Sequence, residues 1–449
     1  MRLPVPAVVC GIAARLEEAG FETWAVGGAI RDALFGLPAR GDWDLTTAAT
    51  PTQVRRLFRR TVPIGVEHGT VGVLDDEGVM HEVTTFRRDV ETTGRHAVVE
   101  FGASLEEDLA RRDFTINAIA YHPLRDELRD PHGGQRDIRS RRLRTVGDAR
   151  TRFAEDYLRV LRALRFAGRF GLEIDPDTWA AIPVTLDRLP GLSGERVREE
   201  LWKVIKGSRD ASTALALYQS SGVLAVLYPE LAETVGLRAD ENEPVDAWGR
   251  ALRAVDALPP TRALLRVAAL LHPVGMPAAR ARSLRGGFSF TGHPIAAARR
   301  AEEVMRRLKA SNADTEHVRR LVLHQEDFFP PDAPDSGIRR WLRDVGPDLV
   351  PDLVRLRIAL ERADAAAAGR PIAADVIQRV RAVRRLLSSR PPLVIGDLAI
   401  GGAELTELGI PPGPRYGEIL RALLDEVIEQ PELNTREGLM ERVRRDWSQ

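Results

Sequence analysis

Cysteine is almost absent. Cys10 is the only one in 449 residues, which excludes an internal disulfide framework and a cysteine zinc site. Long apolar runs are missing too. Nothing is long enough to span a bilayer, and the N-terminus lacks the basic, apolar, small-residue order of an export signal, so a cytoplasmic location and no membrane partner are expected. There is no internal repeat and no long low-complexity tract. Lysine is scarce, and arginine supplies nearly all of the 65 basic side chains. Planar, bidentate phosphate contacts favour that choice, although a GC-rich coding bias produces it equally. Excess charge of either sign is lacking: the formal net charge is +0, which on its own argues against a nucleic-acid partner. The average conceals local asymmetry, with basic clusters at Arg55-Arg56, Arg59-Arg60, Arg87-Arg88, Arg111-Arg112 and across Arg136 to Arg152, and an acidic linker from Glu230 to Asp246.

What is present is ordinary globular material, 29% charged and 44% hydrophobic, in a chain long enough for several packed cores. Met1 to Gly20 reads as an amphipathic helix with Val8, Ile12 and Leu16 on one face. The next ~120 residues alternate in type, as in an α/β unit. Phe21 to Val26 reads as a strand, Ala29 to Leu34 as a helix, Asp42 to Thr46 as a strand and Thr52 to Phe58 as a helix. Strands follow at His68 to Leu74 and Val79 to Thr85. Arg87 to Glu100 is polar, contains Gly94 and reads as a mobile loop; Phe114 to Tyr121 resumes regular structure. Beyond about Arg141 the chain is helical almost throughout. Phe153 to Phe170 reads as one strong helix and Glu195 to Lys206 as a second. Proline breaks near Pro259-Pro260, Pro330-Pro331 and Pro391-Pro392 divide the remainder.

The most informative feature is the pair Asp42 and Asp44 in Arg40-Gly-Asp-Trp-Asp-Leu-Thr. In an extended segment residues two apart point the same way, and two adjacent carboxylates repel unless a cation lies between them. Hard oxygen ligands suit Mg²⁺, which takes one or two carboxylates and completes its shell with water and substrate phosphates. Gly27-Gly28 precedes the pair. It allows close backbone approach to a ligand, and the helix opening near Arg31 offers N–H groups to phosphate. Together they point to phosphoryl or nucleotidyl transfer.

Further segments extend the pattern. Glu82, in His81-Glu-Val-Thr-Thr-Phe-Arg, lies on a strand that could neighbour the Asp42 strand. Arg111-Arg-Asp-Phe-Thr-Ile-Asn-Ala packs two cations, a carboxylate and an amide together. Asp130-Pro-His-Gly-Gly-Gln-Arg-Asp is a turn. In Glu155-Asp-Tyr-Leu-Arg-Val-Leu-Arg-Ala-Leu-Arg-Phe, Asp156, Arg159, Arg162 and Arg165 recur every third residue along one side of the expected helix. A solvated salt-bridge stripe would look the same; against it, the opposite side is apolar, so the charges aim at one place. An Asp and an Arg so spaced could offer donors and acceptors to a base edge.

These ordered motifs, with Glu195-Arg-x-x-x-Glu-Leu, resemble the bacterial-type (class II) CCA-adding tRNA nucleotidyltransferase and poly(A) polymerase family along essentially the whole chain. The resemblance implies an α+β architecture: a polymerase-β-like head of mixed sheet and helices at residues 1–140, then an all-α neck at 141–210, body at 211–330 and tRNA-gripping tail at 331–449. It implies that Asp42 and Asp44 hold two Mg²⁺ ions, with Glu82 as a third carboxylate. Gly28 and Arg31 would contact the triphosphate, and Arg112 and Asp113 the nucleotide's phosphate and ribose. Asp156 and Arg159 would read the base, supported by Arg162 and Arg165. The implied reaction adds C, C and A to the 3′ end of tRNA from CTP and ATP, releasing diphosphate.

Two departures qualify the likeness. The segment Asp89-Val-Glu-Thr-Thr-Gly-Arg-His-Ala-Val-Val-Glu-Phe is shorter than the family's flexible loop and lacks its Asp-x-Arg-Arg-Pro-like pattern, with Gly94-Arg95-His96 in its place. That leaves CC-only or A-only addition open. A poly(A) polymerase is less favoured, because Glu426 to Glu441 is mixed in charge rather than strongly basic. A non-catalytic tRNA-binding module conflicts with the intact carboxylates. In the body, Leu270-Leu-His-Pro-Val-Gly-Met-Pro resembles a phosphohydrolase Leu-His-Asp-x-Gly-Lys signature, followed by Gly292-His293 and His324-Gln325. Pro273 replaces the metal-binding Asp and Met276 the Lys, so His272 is expected to be a packed histidine without hydrolase function.

Overall fold

The computed structural model describes residues 2–38, 43–65, 69–93, 96–240, 243–283 and 287–447. Asp42, Gly94 and Arg95, each part of an expectation above, lie outside the described residues. The chain forms two compact units, residues 1–204 with 213–227, and residues 205–212 with 228–449.

The first unit begins with α1 (Ala7–Glu18), whose buried side chains are Val9, Ile12, Ala13 and Leu16; Val8, assigned to that face from the sequence, is 36% exposed. There follow β1 (Thr23–Val26), α2 (Gly28–Leu34), β2 (Asp44–Thr47) and α3 (Pro51–Leu57). Thr50 starts α3 with a reciprocal capping box to Gln53, which satisfies two otherwise orphaned N–H groups. Next come β3 (Thr61–Gly65), β4 (Thr70–Leu74), β5 (Met80–Thr85), β6 (Arg87–Thr93), β7 (His96–Phe101), α4 (Leu105–Ala110), β8 (Ala120–His122), β9 (Glu127–Arg129) and α5 (Gly134–Arg139).

Seven of these strands make one mixed sheet in the order β3-β4-β5-β2-β1-β8-β9. All its pairings are antiparallel except β2 with β5, which run parallel with Leu45 opposite Val83. One face is closed: Leu45, Val71, Val73 and Val83 are buried, and α3 packs on β4 and β5. Side chains alternate across a strand, so Asp44 and Glu82 belong to the other face. The segment read as a loop from Arg87 to Glu100 is instead an antiparallel ribbon, β6 against β7, with Arg87 opposite Phe101 and Arg88 opposite Glu100. Polar composition concealed it, because a two-stranded ribbon outside the main sheet needs no apolar face.

The first unit continues with α6 (Ala149–Glu155), α7 (Leu158–Phe170), α8 (Pro176–Ala180), the start of α9 (Gly194–Gly207) and α10 (Ala211–Ser220). The helix expected to run unbroken from Phe153 to Phe170 is interrupted. Asp156 is extended, at φ −153° and ψ 106°, and its carboxylate accepts the Leu158 N–H at 3.1 Å. Aspartate competes with the helix for backbone donors in this way, and apolar periodicity cannot register it.

The second unit is almost wholly helical. Its helices include Ala247–Asp256, Ala263–Leu271, His293–Arg307, Asn312–Leu323, Asp335–Val345, Val350–Ala367, Ala374–Ser388, Pro414–Glu429 and Arg436–Trp447. Leu405, Ile419, Leu423, Val427, Leu439 and Val443 build a local core at its C-terminal end. Arg266 is fully buried. Its guanidinium donates to the carbonyls of Val255 and Leu258 at 3.0 Å, of Ile205 at 2.5 Å, of Ser208 at 2.7 Å and of Arg209. Carbonyls in the last turn of a helix have no intrahelical partner, and one side chain here satisfies those of two helices. No helix among the described residues is long and apolar enough to cross a membrane. Replacing Arg266 with Met should destabilise the protein by about 3 kcal/mol or more, because several buried carbonyls lose their donors together. Lys should rescue little of this, since one ammonium cannot reproduce the guanidinium fork; urea unfolding would measure both.

Candidate active site

The site is built on the face of the sheet that carries Asp44, where α4 covers Trp24 and Val26 and Glu82 is left exposed. Trp43 and Leu45 are buried, and Asp44 between them is only partly covered. Continuing the β2–β5 register by one residue sets Asp44 beside Glu82, which is exposed. The backbone closes on Asp44 at Gly27, which caps α2 at φ 81° and ψ −143°. A Cβ at Gly27 would lie 2.9 Å from Asp44 Oδ2 and 3.9 Å from Arg112 Nη1. Glycine is required twice over, by the positive φ and by the carboxylate against its Cα.

Arg112 is held by a residue that sequence reading missed. Asp108, fully buried on α4, accepts from Arg111 Nε at 3.0 Å, from Arg112 Nη2 at 3.2 Å and from Thr46 Oγ1 at 3.5 Å. Burial works to raise the pKa of Asp108, but Arg112 and Arg111 outweigh it and hold the carboxyl below its usual range. The signal was available: Asp108 stands three and four residues before Arg111 and Arg112, the spacing of neighbours on a helical turn. Arg112 Nε is buried without a hydrogen-bond partner among the described residues.

Asp113 does not face an open site. Its carboxylate accepts from the Phe114 N–H and Asn117 Nδ2, both at 2.8 Å, and from Arg162 Nε at 2.7 Å, with the Arg162 Nη2 of the same ion pair at 2.6 Å. Burial alone would raise its pKa, but the Arg162 charge and the Asn117 hydrogen bond pull it down to about 2. Arg31 is equally committed. It is 6% exposed, donates to Asn117 Oδ1 at 2.8 Å and to Asp32 Oδ1 at 2.6 Å, and lies 4.9 Å from the ring centres of Phe166 and of Phe170. As placed, Arg31 and Asp113 build the wall of the site.

The arginine stripe on α7 is neither solvated nor bare. Arg159 pairs with Glu155 and donates to the Arg152 carbonyl at 3.0 Å. Arg162 pairs with Asp113, Arg165 with Glu200 at 2.6 Å and Arg169 with Asp32 at 3.1 Å. Asp156 is not on the helical stripe but at its head, where Arg196 Nη2 holds Oδ2 at 2.6 Å. Asp156 and Arg159 therefore each have one fixed charged partner, with Arg196 supplied by α9.

In the second unit, the expected packed histidine is found. His272 Nδ1 lies 2.7 Å from the Ala269 carbonyl, and burial lowers its pKa to about 4. It lines a cavity of about 90 Å³ with His293, Gln325, Arg250 and Asp364, whereas His324 turns to Asp327. Among the described residues no cluster of three His, Cys, Asp or Glu is placed to hold a metal.

The geometry can be set beside known proteins. The family model for the Poly A polymerase head domain matches residues 23–144, and that for a probable RNA and SrmB-binding site of polymerase A matches residues 171–234. A CCA-adding enzyme of Limosilactobacillus fermentum is 30% identical over 440 residues, 96% of this chain and 94% of that protein. The chain belongs to the CCA-adding enzyme family. The crystal structure of the Bacillus stearothermophilus CCA-adding enzyme in complex with CTP superposes with a TM-score of 0.70, at 31% identity and 97% coverage of each chain. A Geobacillus thermodenitrificans relative is 45% identical over 225 residues; that stretch covers 54% of the relative, so the chain spans about half the length of this and similar curated relatives. The head model begins at β1 and ends before α6, so it contains Gly27, Asp44, Glu82, Arg112 and Asp113 but neither Asp156 nor Arg159.

Two outcomes follow from this packing. Gly27→Ala should cost about 1–3 kcal/mol through the strained φ and the contact with Asp44, read by thermal unfolding. Asp113 has a folded pKa below the unfolded one, so its contribution is complete above about pH 4 and disappears as pH falls towards about 2. Over that window wild type should lose about 2 kcal/mol that an Asp113→Asn variant does not. Denaturant titrations at stepped pH would show the difference.

Proposed function

We propose that this chain is a tRNA nucleotidyltransferase that adds C, C and A to tRNA 3′ ends from CTP and ATP, releasing diphosphate. The observation that carries the reading is the pairing of Asp44 with Glu82 on one sheet face beneath Gly27, in a chain matched along its length by CCA-adding enzymes. Asp44 and Glu82 offer only hard oxygen donors, a set that fits a small divalent cation. Asp42 and Asp44 would hold Mg²⁺, with Glu82 beside them; when bound, the ions would activate the primer hydroxyl and neutralise developing phosphate charge.

The protein's own groups do the rest. Gly27-Gly28 lets the triphosphate approach the backbone without a side chain in the way. Arg112, turned towards Gly27 and anchored by Asp108, supplies a fixed cation for phosphate. Asp156 and Arg159 present an acceptor and donors to the Watson–Crick edge of the base, each restrained by one partner. Arg162 and Arg165 support them by tying α7 to Asp113 and Glu200. A fixed protein surface thereby takes the place of a nucleic-acid template. The head, neck, body and tail division at residues 1–140, 141–210, 211–330 and 331–449, the grip on the acceptor and T arms and a cytoplasmic site of action belong to the same proposal.

Purified protein with Mg²⁺ and a tRNA lacking its CCA end should give a product ladder: two additions with CTP alone, none with ATP alone, three with both. Two additions with both nucleotides would replace this reading by CC addition, one A on a primer ending in CC with no C added to the truncated tRNA by A addition, and long A tails on unrelated RNA by poly(A) synthesis. Asp44→Ala should reduce extension about a thousandfold or more while leaving thermal unfolding close to that of wild type. Retained extension would contradict the role of Asp44.

A further inference from the structure

The exposed part of this sheet face does not end at Glu82. Gly72 on β4 stands opposite Glu82 on β5 and opposite Val62 on β3, so all three share that face. Met80 lies two residues before Glu82 on the same strand and therefore on the same side. Ile64 is 42% exposed, Met80 43% and Val62 38%. A Cβ at Gly72 would lie 2.7 Å from Ile64 Cδ1 and 2.8 Å from Met80 Sδ, so these two side chains close over the glycine from the strands on either side. The result is a flat apolar shelf across three strands, about 10 Å wide.

Its composition needs an occupant. Glycine inside a strand weakens it and commonly marks a place where something approaches closely. A side chain at Gly72 would raise a ridge between Ile64 and Met80. Contiguous exposed aliphatics at the edge of a sheet are a liability unless something covers them. The shelf is continuous with the carboxylate face, and Met80 is about 7 Å from Glu82 along the strand. A nucleotide whose 3′-hydroxyl reaches Asp44 and Glu82 would lay its base there.

We infer that Ile64, Gly72 and Met80 form a stacking shelf for the base of the RNA's 3′-terminal nucleotide, the primer rather than the incoming triphosphate. An apolar shelf offers a π-face partner without reading a base edge. It would therefore accept the different terminal bases that successive additions create, while Asp156 and Arg159 select only the incoming nucleotide. This inference rests on the nucleotidyl-transfer reading above.

The test uses two tRNA acceptor minihelices, identical except that in one the 3′-terminal nucleotide is abasic with its 3′-hydroxyl intact. Wild type should extend the normal primer at least tenfold better in kcat/KM than the abasic one. The double variant Ile64→Ser/Met80→Ser should extend the normal primer only as well as wild type extends the abasic one. Its KM for CTP and its thermal unfolding should be unchanged, because both side chains are at the surface. Val79→Ser, 49% exposed and of opposite strand parity, should behave as wild type. The shelf is refuted if the double variant keeps the wild-type preference, if it loses both primers equally, or if its only effect is to dissolve a wild-type dimer seen by sedimentation. Failure of wild type to extend even the normal primer would remove the parent reading, and the shelf with it. Loss of the shelf alone leaves wild-type extension in place.

Discussion

The ion pair between Arg162 and Asp113 is the contact on which the first unit's site depends. It joins α7 to the segment that carries Arg111 and Arg112, and so fixes the element bearing Arg159 relative to the element bearing the candidate phosphate-binding cation. Asp113 accepts three hydrogen bonds, one each from Arg162 Nε, the Phe114 N–H and Asn117, and forms a second close ion-pair contact with Arg162 Nη2. A buried carboxylate satisfied to this extent is locked in position, and removing either partner would strand the other charge in a poorly solvated place. Asn117 extends the lock to Arg31, and Arg31 to Asp32, Phe166 and Phe170.

That chain of contacts explains why so many arginines belong to a structure rather than to a ligand. Phe166 is approached by Arg31, Arg162 and Arg165, and Phe170 by Arg31 and Arg169. Like charges gathered around two rings would repel if each lacked its own carboxylate. Asp32, Asp113 and Glu200 supply those, at Arg31 and Arg169, at Arg162 and at Arg165. The guanidinium plane can stack on a ring and form a two-pronged ion pair at once, which an ammonium cannot. Part of the preference for arginine over lysine therefore has a structural cause in this unit, independent of nucleic acid and of coding bias.

The periodic elements were legible in the sequence wherever one face is buried. β1, α3, β5 and α9 fall within a few residues of their expected limits, because apolar spacing reports burial directly, and α1 starts six residues later than expected. The short strands β3, β8 and β9 were not expected: β3 is largely exposed and leaves no alternating pattern. The β6–β7 ribbon was hidden for the same reason. The neighbouring of the Asp44 and Glu82 strands could be read because their chemistry and strand parity show in a single sequence. Asn117 and the Asp32–Arg169 pair could not, since each joins segments far apart in the chain, whereas Asp108 was signalled by its spacing to Arg111 and Arg112 and was passed over. The protein partners of Arg31 and Asp113 were hidden for the same reason: a sequence shows a charge but not what already neutralises it.

The break at Asp156 gives its carboxylate and the Arg159 guanidinium separate supports. In the proposed reaction the two would face a single plane as acceptor and donor set. Within an unbroken helix, residues 156 and 159 would lie only about 60° apart around the axis and about 4.5 Å apart along it, but both would emerge from helical backbone. Ending α6 at Glu155 releases Asp156 into extended backbone, where Arg196 aims its carboxylate, while Arg159 stays on α7 under the control of Glu155. The orientation of each side chain is then set by a different neighbour. Glu155 is itself shared, accepting from Arg152 as well as Arg159, so a shift in α6 would move the donor before it moved the acceptor. In the proposed reaction, discrimination between bases that differ in donor and acceptor order would draw on that separable control, whereas the carboxylate face of the sheet, used alike in every addition, would not.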